Sequence, residues 1–288
     1  MPTKAQTEWA EKREEKRRQR QRFVRARQAE KEYSRKLQQL ARQIGSLVRG
    51  FDYSQESSYS AVEALLRDYA RIISPWARAT AVTMLADVSN RDAAAWREHS
   101  REMGIAIREE IGSAPTGDIL RQLQAQQVQL ITSLPLEAAQ RIHELAIKGL
   151  SEGSRGADII KMVMQTGQVT QSRAKLIART ETARAASNIA QARAEWVGSP
   201  GYIWRNVGDA DVRPALGSKN FGAMNTLAKG SHRKLEGTYH RWDQPPIAGS
   251  NGERSHPGCI YNCRCYAEIV MPEQWQTQSW KKAERNPK

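Results

Sequence analysis

The sequence predicts an α+β fold in which long helices come first and a small, irregular α+β region follows. Apolar residues recur at helical spacing through much of residues 33–197. After Gly198 this periodicity disappears, Gly, Pro, Trp and Tyr become frequent, and the strand-like segments YIWRNV and RCYAEIVM appear. We therefore predict a basic arm at residues 1–32, a helical domain at 33–197, a small α+β domain at 198–271 and a C-terminal tail at 272–288.

The N-terminal arm is rich in Arg and Lys, with Glu interspersed and few apolar residues. This pattern is typical of a solvated helical extension or of a disordered basic arm that contacts DNA or a partner protein. Both interpretations are open from the sequence. The candidate nucleic-acid-binding residues are Arg13, Arg17, Arg18, Arg20 and Arg22.

A helix is predicted directly after the arm, because five apolar residues follow one another at spacings of four and three. They are Tyr33, Leu37, Leu40, Ile44 and Leu47. These spacings place all five on one stripe of a helix, as in a helical bundle. Gly50 ends the pattern, and a second helical pattern begins near Ala61. Pro75 is expected to kink that helix or to open a new one.

Further helices are predicted up to residue 197. Helical patterns cover 119–132 and 135–150, and Pro135 suits the first turn of the second of these. A short helix is expected at about 157–165 and a long, alanine-rich one at about 170–197.

Charge and composition narrow the class of protein. The formal net charge of +14 favours an anionic partner such as nucleic acid, an acidic protein surface or a membrane face. Since no apolar run is long enough to span a bilayer and the N-terminus lacks the apolar core of a secretory signal, we expect a protein made in the cytosol. No helix-turn-helix spacing or zinc-finger period is visible, so contact with DNA is expected to be non-specific.

Potential metal ligands are concentrated in one short window. Three of the five His and all three Cys lie between residues 232 and 265. Zinc takes about four N or S ligands, and in a strand Cys263 and Cys265 would point to the same side. Three Cys do not make a disulfide framework. The window predicts either one structural zinc ion or a packed cluster of reduced Cys and His. The candidate ligands are His232, His256, Cys259, Cys263 and Cys265.

Several short segments occur in a specific order along the chain. They are Ile177-Ala-Arg-Thr-Glu-Thr182 with Asn188 beyond it, Trp204, Asp211-x-Arg213, His232-x-x-Leu-Glu-Gly237, and Asn262-Cys-Arg-Cys265 preceded by Pro257-Gly258. In this order they resemble the phage Mu protein F-like head morphogenesis family, over about residues 140–270. One stretch departs from the family pattern, because residues 214–231 lie where the family usually has only a few residues.

The resemblance implies a minor head protein of a tailed bacteriophage that acts by binding and catalyses no reaction. Such proteins associate with the portal, enter the prohead with it and influence DNA packaging or ejection. The implied partners are the portal protein, the major capsid or scaffolding protein and packaged double-stranded DNA, with no membrane. The implied location is the capsid interior near the portal, after assembly in the host cytoplasm.

The shared residues are interpreted as a structural kernel of packed small and aromatic side chains, an ion pair and a His/Cys staple. They are Arg179, Thr180, Glu181, Trp204, Asp211, Arg213, His232, Gly237 and Asn262. Asp211 and Arg213 could instead bind a phosphate or a metal, and the alanine-rich helix could instead form a partner surface.

Two rival functions remain open from the sequence. The first is a metal-dependent nuclease that uses His232, His240 and Asp243 as base and metal ligands. The second is a general DNA-binding module in which the basic arm makes all the contacts.

Overall fold

The computed structural model of the protein describes residues 4–100, 115–152, 156–206, 232–249 and 251–272, with side chains left out at 4–26, 98–100, 150–152 and 156. Within these ranges, the residues up to 196 are mainly helical, and a small three-stranded sheet lies beyond them. The predicted α+β fold is confirmed.

The first helix, α1 (Lys4–Arg49), runs without a break past residue 32. Four of the five predicted stripe residues are buried, since Tyr33, Leu37, Leu40 and Ile44 are at most 2% exposed. The fifth, Leu47, is only half-buried, and Val48 takes its place in the core at 0% exposed. A straight helix has 3.6 residues per turn, so its buried side drifts away from a strict spacing of four and three.

Two helices follow, α2 (Ser57–Ile72) and α3 (Ser74–Ser100). The α2 helix begins at Ser57, four residues before the predicted start at Ala61. Pro75 opens a new helix, which is one of its two predicted roles, because it lies in the first turn of α3. There its missing N–H removes no helical hydrogen bond.

The fourth helix, α4 (Gly117–Glu152), corrects the prediction of two helices separated near Pro135, because it contains this proline. Hydroxyls of the preceding turn donate to main-chain carbonyls, Thr132 to that of Val128 at 3.0 Å and Ser133 to that of Leu130 at 3.0 Å. Buried residues also continue through the proline, and their burial favours an unbroken helix. They are Ile131, Leu134, Ala138, Ala139 and Ile142.

A short helix, α5 (Gly156–Met164), and a long one, α6 (Thr166–Trp196), complete the helical part. The start of α6 comes very close to α1, because a Cβ atom on Gly167 would lie 2.9 Å from the Cα atom of Gly45. Two glycines are needed for two backbones to approach this closely.

The backbone groups into two compact units, each assembled from separate stretches of chain. Among the described residues, the first unit, called here the helical unit, comprises 30–85, 121–152 and 156–181. The second, called here the mixed unit, comprises 4–29, 86–100, 115–120, 182–206, 232–249 and 251–272. These units describe grouping in space, whereas the predicted boundaries follow changes along the sequence, so the domain boundaries stay a prediction.

The sheet of the mixed unit contains β1 (Gly201–Arg205), β2 (Tyr239–Arg241) and β3 (Tyr266–Val270) in the order β2-β1-β3, with both pairings antiparallel. A one-turn helix, α7 (His232–Leu235), precedes β2. Alternation along β1 places Tyr202 and Trp204 on the same face of the sheet, where both are 0% exposed. They belong to one core cluster with Trp96, Ala194, Val197, Trp242, Ala248, Cys263, Cys265, Ile269 and Met271.

No helix in the described ranges is long and apolar enough to cross a membrane.

Candidate functional site

Three of the predicted metal ligands lie together in the core of the mixed unit. His232 begins α7, and Cys263 and Cys265 lie just before β3. The Nδ1 atom of His232 is 3.5 Å from the sulfur of Cys263 and 3.5 Å from the sulfur of Cys265. All three residues are buried, at 2%, 4% and 5% exposed. Among the described residues they form the one group of three His, Cys or carboxylate side chains close enough to share an ion.

The orientation of the His232 ring is fixed on two sides. Its Nε2 atom lies 3.1 Å from the carbonyl oxygen of Ala248, and because a carbonyl can only accept, Nε2 carries the hydrogen. The ring packs edge-on against Trp204, with ring centroids 5.2 Å apart. In the neutral ring, Nδ1 therefore presents its lone pair to the two sulfurs.

The sulfur of Cys263 is surrounded by hydrogen-bond donors. The main-chain N–H groups of Gly258 and Cys265 both donate to it at 3.4 Å. Hydrogen bonding by Cys265 lowers the pKa of Cys263 well below its usual range, although burial opposes this shift. The same contact with Cys263, together with burial, raises the pKa of Cys265, so the first thiol to ionise is that of Cys263.

The second sulfur has a different partner. The Cys265 thiol donates to the Oδ1 atom of Asn206 at 3.1 Å. The same Oδ1 accepts from the indole N–H of Trp204 at 3.1 Å, and the amide of Asn206 donates to the carbonyl of His232 at 3.0 Å. Asn206 thus links the end of β1 to both sides of the cluster. No sequence signal marked it, because its role depends on where β1 ends in space.

The loop that carries the cysteines needs two residues with positive φ. Gly258 has a φ of 87° and Asn262 a φ of 58°. Gly and Asn are the residues that adopt this left-handed region most readily. The positive φ angles therefore explain why Gly and Asn occupy these two positions of the predicted motif. The turn between them brings the N–H of Gly258 back to the sulfur of Cys263.

The second half of α6 holds this loop in place. Arg184 donates to the carbonyl oxygen of Cys259 at 3.2 Å, and the Cys259 thiol donates to the side chain of Asn188 at 3.4 Å. A Cβ atom on Gly258 would lie 3.2 Å from the carbonyl oxygen of Ala183. Two separate pieces of the sequence motif, the helix and the Cys-containing loop, are therefore in direct contact. Arg184 was not predicted as a site residue.

The His-x-x-Leu-Glu-Gly piece is tied to β1 by main-chain hydrogen bonds. Gly237, with a φ of 76°, donates to the carbonyl of Trp204 at 2.9 Å. Trp204 donates in turn to the carbonyl of Thr238 at 2.9 Å. Glu236 accepts from the guanidinium of Arg205 at 3.4 Å. This segment sets the position of His232 beside the two cysteines.

The two remaining candidate ligands lie elsewhere. The Nδ1 atom of His256 is 3.0 Å from the hydroxyl of Tyr202, and burial lowers the pKa of His256. Cys259 is only partly buried and contacts α6. The structure thus brings together His232, Cys263 and Cys265, and it does not add His256 or Cys259 to that group.

The motif residues Arg179, Thr180 and Glu181 on α6 lie in the helical unit. Thr180 and Glu181 are each 4% exposed. The carboxylate of Glu181 accepts from the amide of Gln127 at 2.9 Å, and the hydroxyl of Tyr33 donates to that same amide group at 2.8 Å. Arg179 is 3.7 Å from Glu30. Tyr33 and Gln127 were not predicted as partners of this motif, since they come from distant parts of the chain.

The residues of the rival nuclease do not form a shared centre in the described part of the chain. His240 contacts the hydroxyl of Thr238 at 2.7 Å, and burial lowers its pKa. Asp243 makes a two-point ion pair with Arg241, at 2.8 Å for each hydrogen bond. His232 belongs to the cysteine cluster instead.

Some predicted site residues lie outside what the structure describes. They are Asp211, Arg213 and the additional stretch 214–231, together with the side chains of Arg13, Arg17, Arg18, Arg20 and Arg22. Their predicted roles stay predictions.

Comparison with known proteins gives one family. Residues 140–221 match the model of the Phage Mu protein F like family. This match confirms the resemblance predicted from the motif order, and it covers α6 and β1. The segments from His232 to Cys265 lie beyond the matched residues.

A Haemophilus influenzae protein described as an uncharacterized protein is 27% identical over 154 residues, which cover 54% of this chain. The chain spans 30% of the length of that relative. No solved structure matches the chain significantly. The family match indicates similarity to phage head morphogenesis proteins over residues 140–221.

Proposed function

We propose that this chain is a minor head protein that binds the portal of a tailed bacteriophage and acts in head assembly, DNA packaging or ejection. It catalyses no reaction in this role. The portal protein is the primary partner, with the major capsid or scaffolding protein beside it. The chain enters the capsid interior with the portal after assembly in the host cytoplasm.

The family match at residues 140–221 carries this proposal. The geometry supports it because the motif residues in the described ranges are used for packing. Glu181 is buried against Gln127, Trp204 is 0% exposed, and Gly237 closes a turn on β1. A motif whose residues are buried in this way favours a structural module over an open catalytic cleft.

The basic N-terminal segment supports a second contact, with packaged DNA. Residues 1–26 contain nine Lys and Arg against four Glu, on a chain of net charge +14. DNA releases counterions when cationic side chains neutralise its phosphates, so such binding weakens steeply as salt increases. The contact is non-specific and serves to hold the protein on packaged DNA.

Co-expression with the portal protein from the same genome tests the proposal. The two proteins are separated by size-exclusion chromatography at moderate and at high salt. We expect co-elution that survives high salt, because a specific protein interface is less dependent on ion pairing than a phosphate contact. Separate elution at both salt concentrations contradicts portal binding.

A truncation that lacks residues 1–26 serves as the matched control. It should keep the portal complex and lose most of the salt-dependent binding to a DNA duplex of unrelated sequence. Loss of the portal complex in the truncated chain would contradict a portal interface outside the basic segment. A chain that binds DNA through this segment and does not co-elute with the portal would favour the second rival function. Plasmid nicking that requires a divalent metal would instead favour the nuclease.

A further inference from the structure

We propose that His232, Cys263 and Cys265 bind one zinc ion in the core of the mixed unit. The inference does not depend on portal binding. It narrows the five ligands expected from the sequence to the three that the fold brings together, and it assigns His256 and Cys259 to packing contacts instead.

The distances between the ligand atoms agree with tetrahedral zinc. With Zn–S bonds of about 2.3 Å and Zn–N bonds of about 2.0 Å, an S and an N ligand lie about 3.5 Å apart. The Nδ1 atom of His232 is 3.5 Å from each of the two sulfurs. The three ligand atoms lie within 4.8 Å of one another, so a single ion can reach all of them.

The surroundings of His232 are those of a metal-binding imidazole. Metal-binding histidines usually donate their other N–H to a carbonyl or carboxylate, which fixes both the tautomer and the ring orientation. Here Nε2–H donates to the carbonyl of Ala248, and the ring edge packs on Trp204. The lone pair of Nδ1 is therefore already directed at the sulfurs without any rearrangement of the ring.

The cysteines are prepared to bind as thiolates. Two main-chain N–H groups, from Gly258 and Cys265, donate to the Cys263 sulfur and stabilise negative charge on it. Zinc binding releases one proton from each thiol, and two thiolates with one Zn²⁺ make a centre of zero net charge. A neutral centre suits a site in which each of the three ligands is at most 5% exposed, since isolated charge is costly to bury.

A neutral oxygen, from the side chain of Asn206, lies beside one of the two sulfurs. Asn206 Oδ1 accepts a hydrogen bond from the Cys265 thiol at 3.1 Å, and zinc would replace that thiol hydrogen. Either this amide oxygen or a water completes the coordination. The ion would connect α7 to the loop before β3, residues separated by 31 positions in sequence between His232 and Cys263. Its role would be to stabilise this region, because its two cysteine ligands belong to the core cluster.

Metal analysis of the full-length protein, purified under reducing conditions without chelator, tests the proposal directly. We expect about one zinc per chain, and the zinc content should drop at least about fivefold in Cys263→Ser and in Cys265→Ser. Cys259→Ser is the matched control. It removes the third cysteine of the same loop, whose thiol contacts Asn188, and should leave the zinc content unchanged.

A second measurement on the native chain guards against variants that fail to fold. Zinc is removed with a chelator and cobalt(II) is added, which should give the thiolate-to-cobalt absorption of a tetrahedral site with two sulfurs. Native protein that is folded by circular dichroism yet contains no zinc and gives no such absorption overturns the proposal. So does a Cys263–Cys265 disulfide found by mass spectrometry in native protein kept reducing, or an equal loss of zinc in Cys259→Ser.

Discussion

The helical unit and the mixed unit are stabilised in different ways. In the helical unit the core is a regular stripe of aliphatic side chains, such as Leu37, Ile44 and Ile131, on long helices. In the mixed unit the core contains Trp, Tyr and Cys side chains, and its loops are held by individual hydrogen bonds to named atoms. The first kind of core tolerates exchange of similar apolar residues, whereas the second depends on specific polar partners.

Each unit also contains one set of buried polar residues that departs from this description. Substitutions at these residues should be the most informative. The helical unit contains the buried chain Tyr33–Gln127–Glu181. The mixed unit contains a buried ion pair between α3 and α6, from Asp92 to Arg193. Polar groups inside a core are costly once one partner is removed.

The largest expected effect comes from Asp92→Ala in the mixed unit. Arg193 is 6% exposed, and its guanidinium pairs with Asp92 and also donates to Ser89. Removing the carboxylate leaves a buried cation without its counter-charge, which should lower the free energy of unfolding by about 3–5 kcal/mol. Urea denaturation measures this change. Asp243→Ala, which breaks the exposed pair with Arg241, is the control and should change little. Equal effects of the two substitutions would argue against a special role for the buried pair.

In the helical unit, Gln127→Leu should lower the free energy of unfolding by about 2–4 kcal/mol, because it removes a partner from two buried polar groups. These are the hydroxyl of Tyr33 and the carboxylate of Glu181. The same substitution at Gln140, an exposed residue of the same helix, should stay within about 0.5 kcal/mol. Thermal and urea denaturation give the free energy of unfolding of both variants. Similar stability of the two variants would mean that the hydrogen bonds of Gln127 to Tyr33 and Glu181 contribute nothing to the free energy of unfolding.

Two glycines of the mixed unit allow the cost of a left-handed backbone to be measured separately from the cost of a steric clash. Gly258 and Gly252 both have positive φ, 87° and 92°. A Cβ at Gly258 would lie 3.2 Å from two main-chain oxygens, those of Ala183 and Cys265, whereas nothing lies within 4 Å at Gly252. We expect Gly252→Ala to cost about 1 kcal/mol for the left-handed backbone and Gly258→Ala about 2–3 kcal/mol. Equal costs in urea denaturation would show that contact between α6 and the loop is unimportant.

The smallest expected effect is a dependence of stability on pH that arises from His256. Burial lowers the pKa of His256 below its ordinary value of 6.5; the charge of Glu195 opposes this shift, and that of His240 adds to it. As pH falls through 6.5 the unfolded chain takes up the proton first, so the contribution of neutral His256 is present at higher pH and is lost toward lower pH. The free energy of unfolding is measured from pH 8 to pH 5. In His256→Gln the slope over this interval should be smaller than in the native chain, and an unchanged slope would assign it to other groups.

Much of the fold could be predicted from the sequence because helices repeat. The stripe from Tyr33 to Ile44, the helix start at Pro75 and the change of texture after Gly198 all follow from spacing and composition. The prediction of a helix break at Pro135 was wrong, because a stripe of buried side chains continues through the proline. Here the packing of buried side chains outweighed the local tendency of proline to break a helix.

The sequence by itself determined the kinds of side chain available for a site and the order of the motif segments along the chain. Only the tertiary structure decided which of the five candidate ligands meet. His232, Cys263 and Cys265 come together because β1 and α6 hold α7 and the loop before β3 in fixed positions. His256, only three residues from Cys259, turns instead to Tyr202. Side chains converge through the path of the backbone in space, and spacing along a loop does not specify that path.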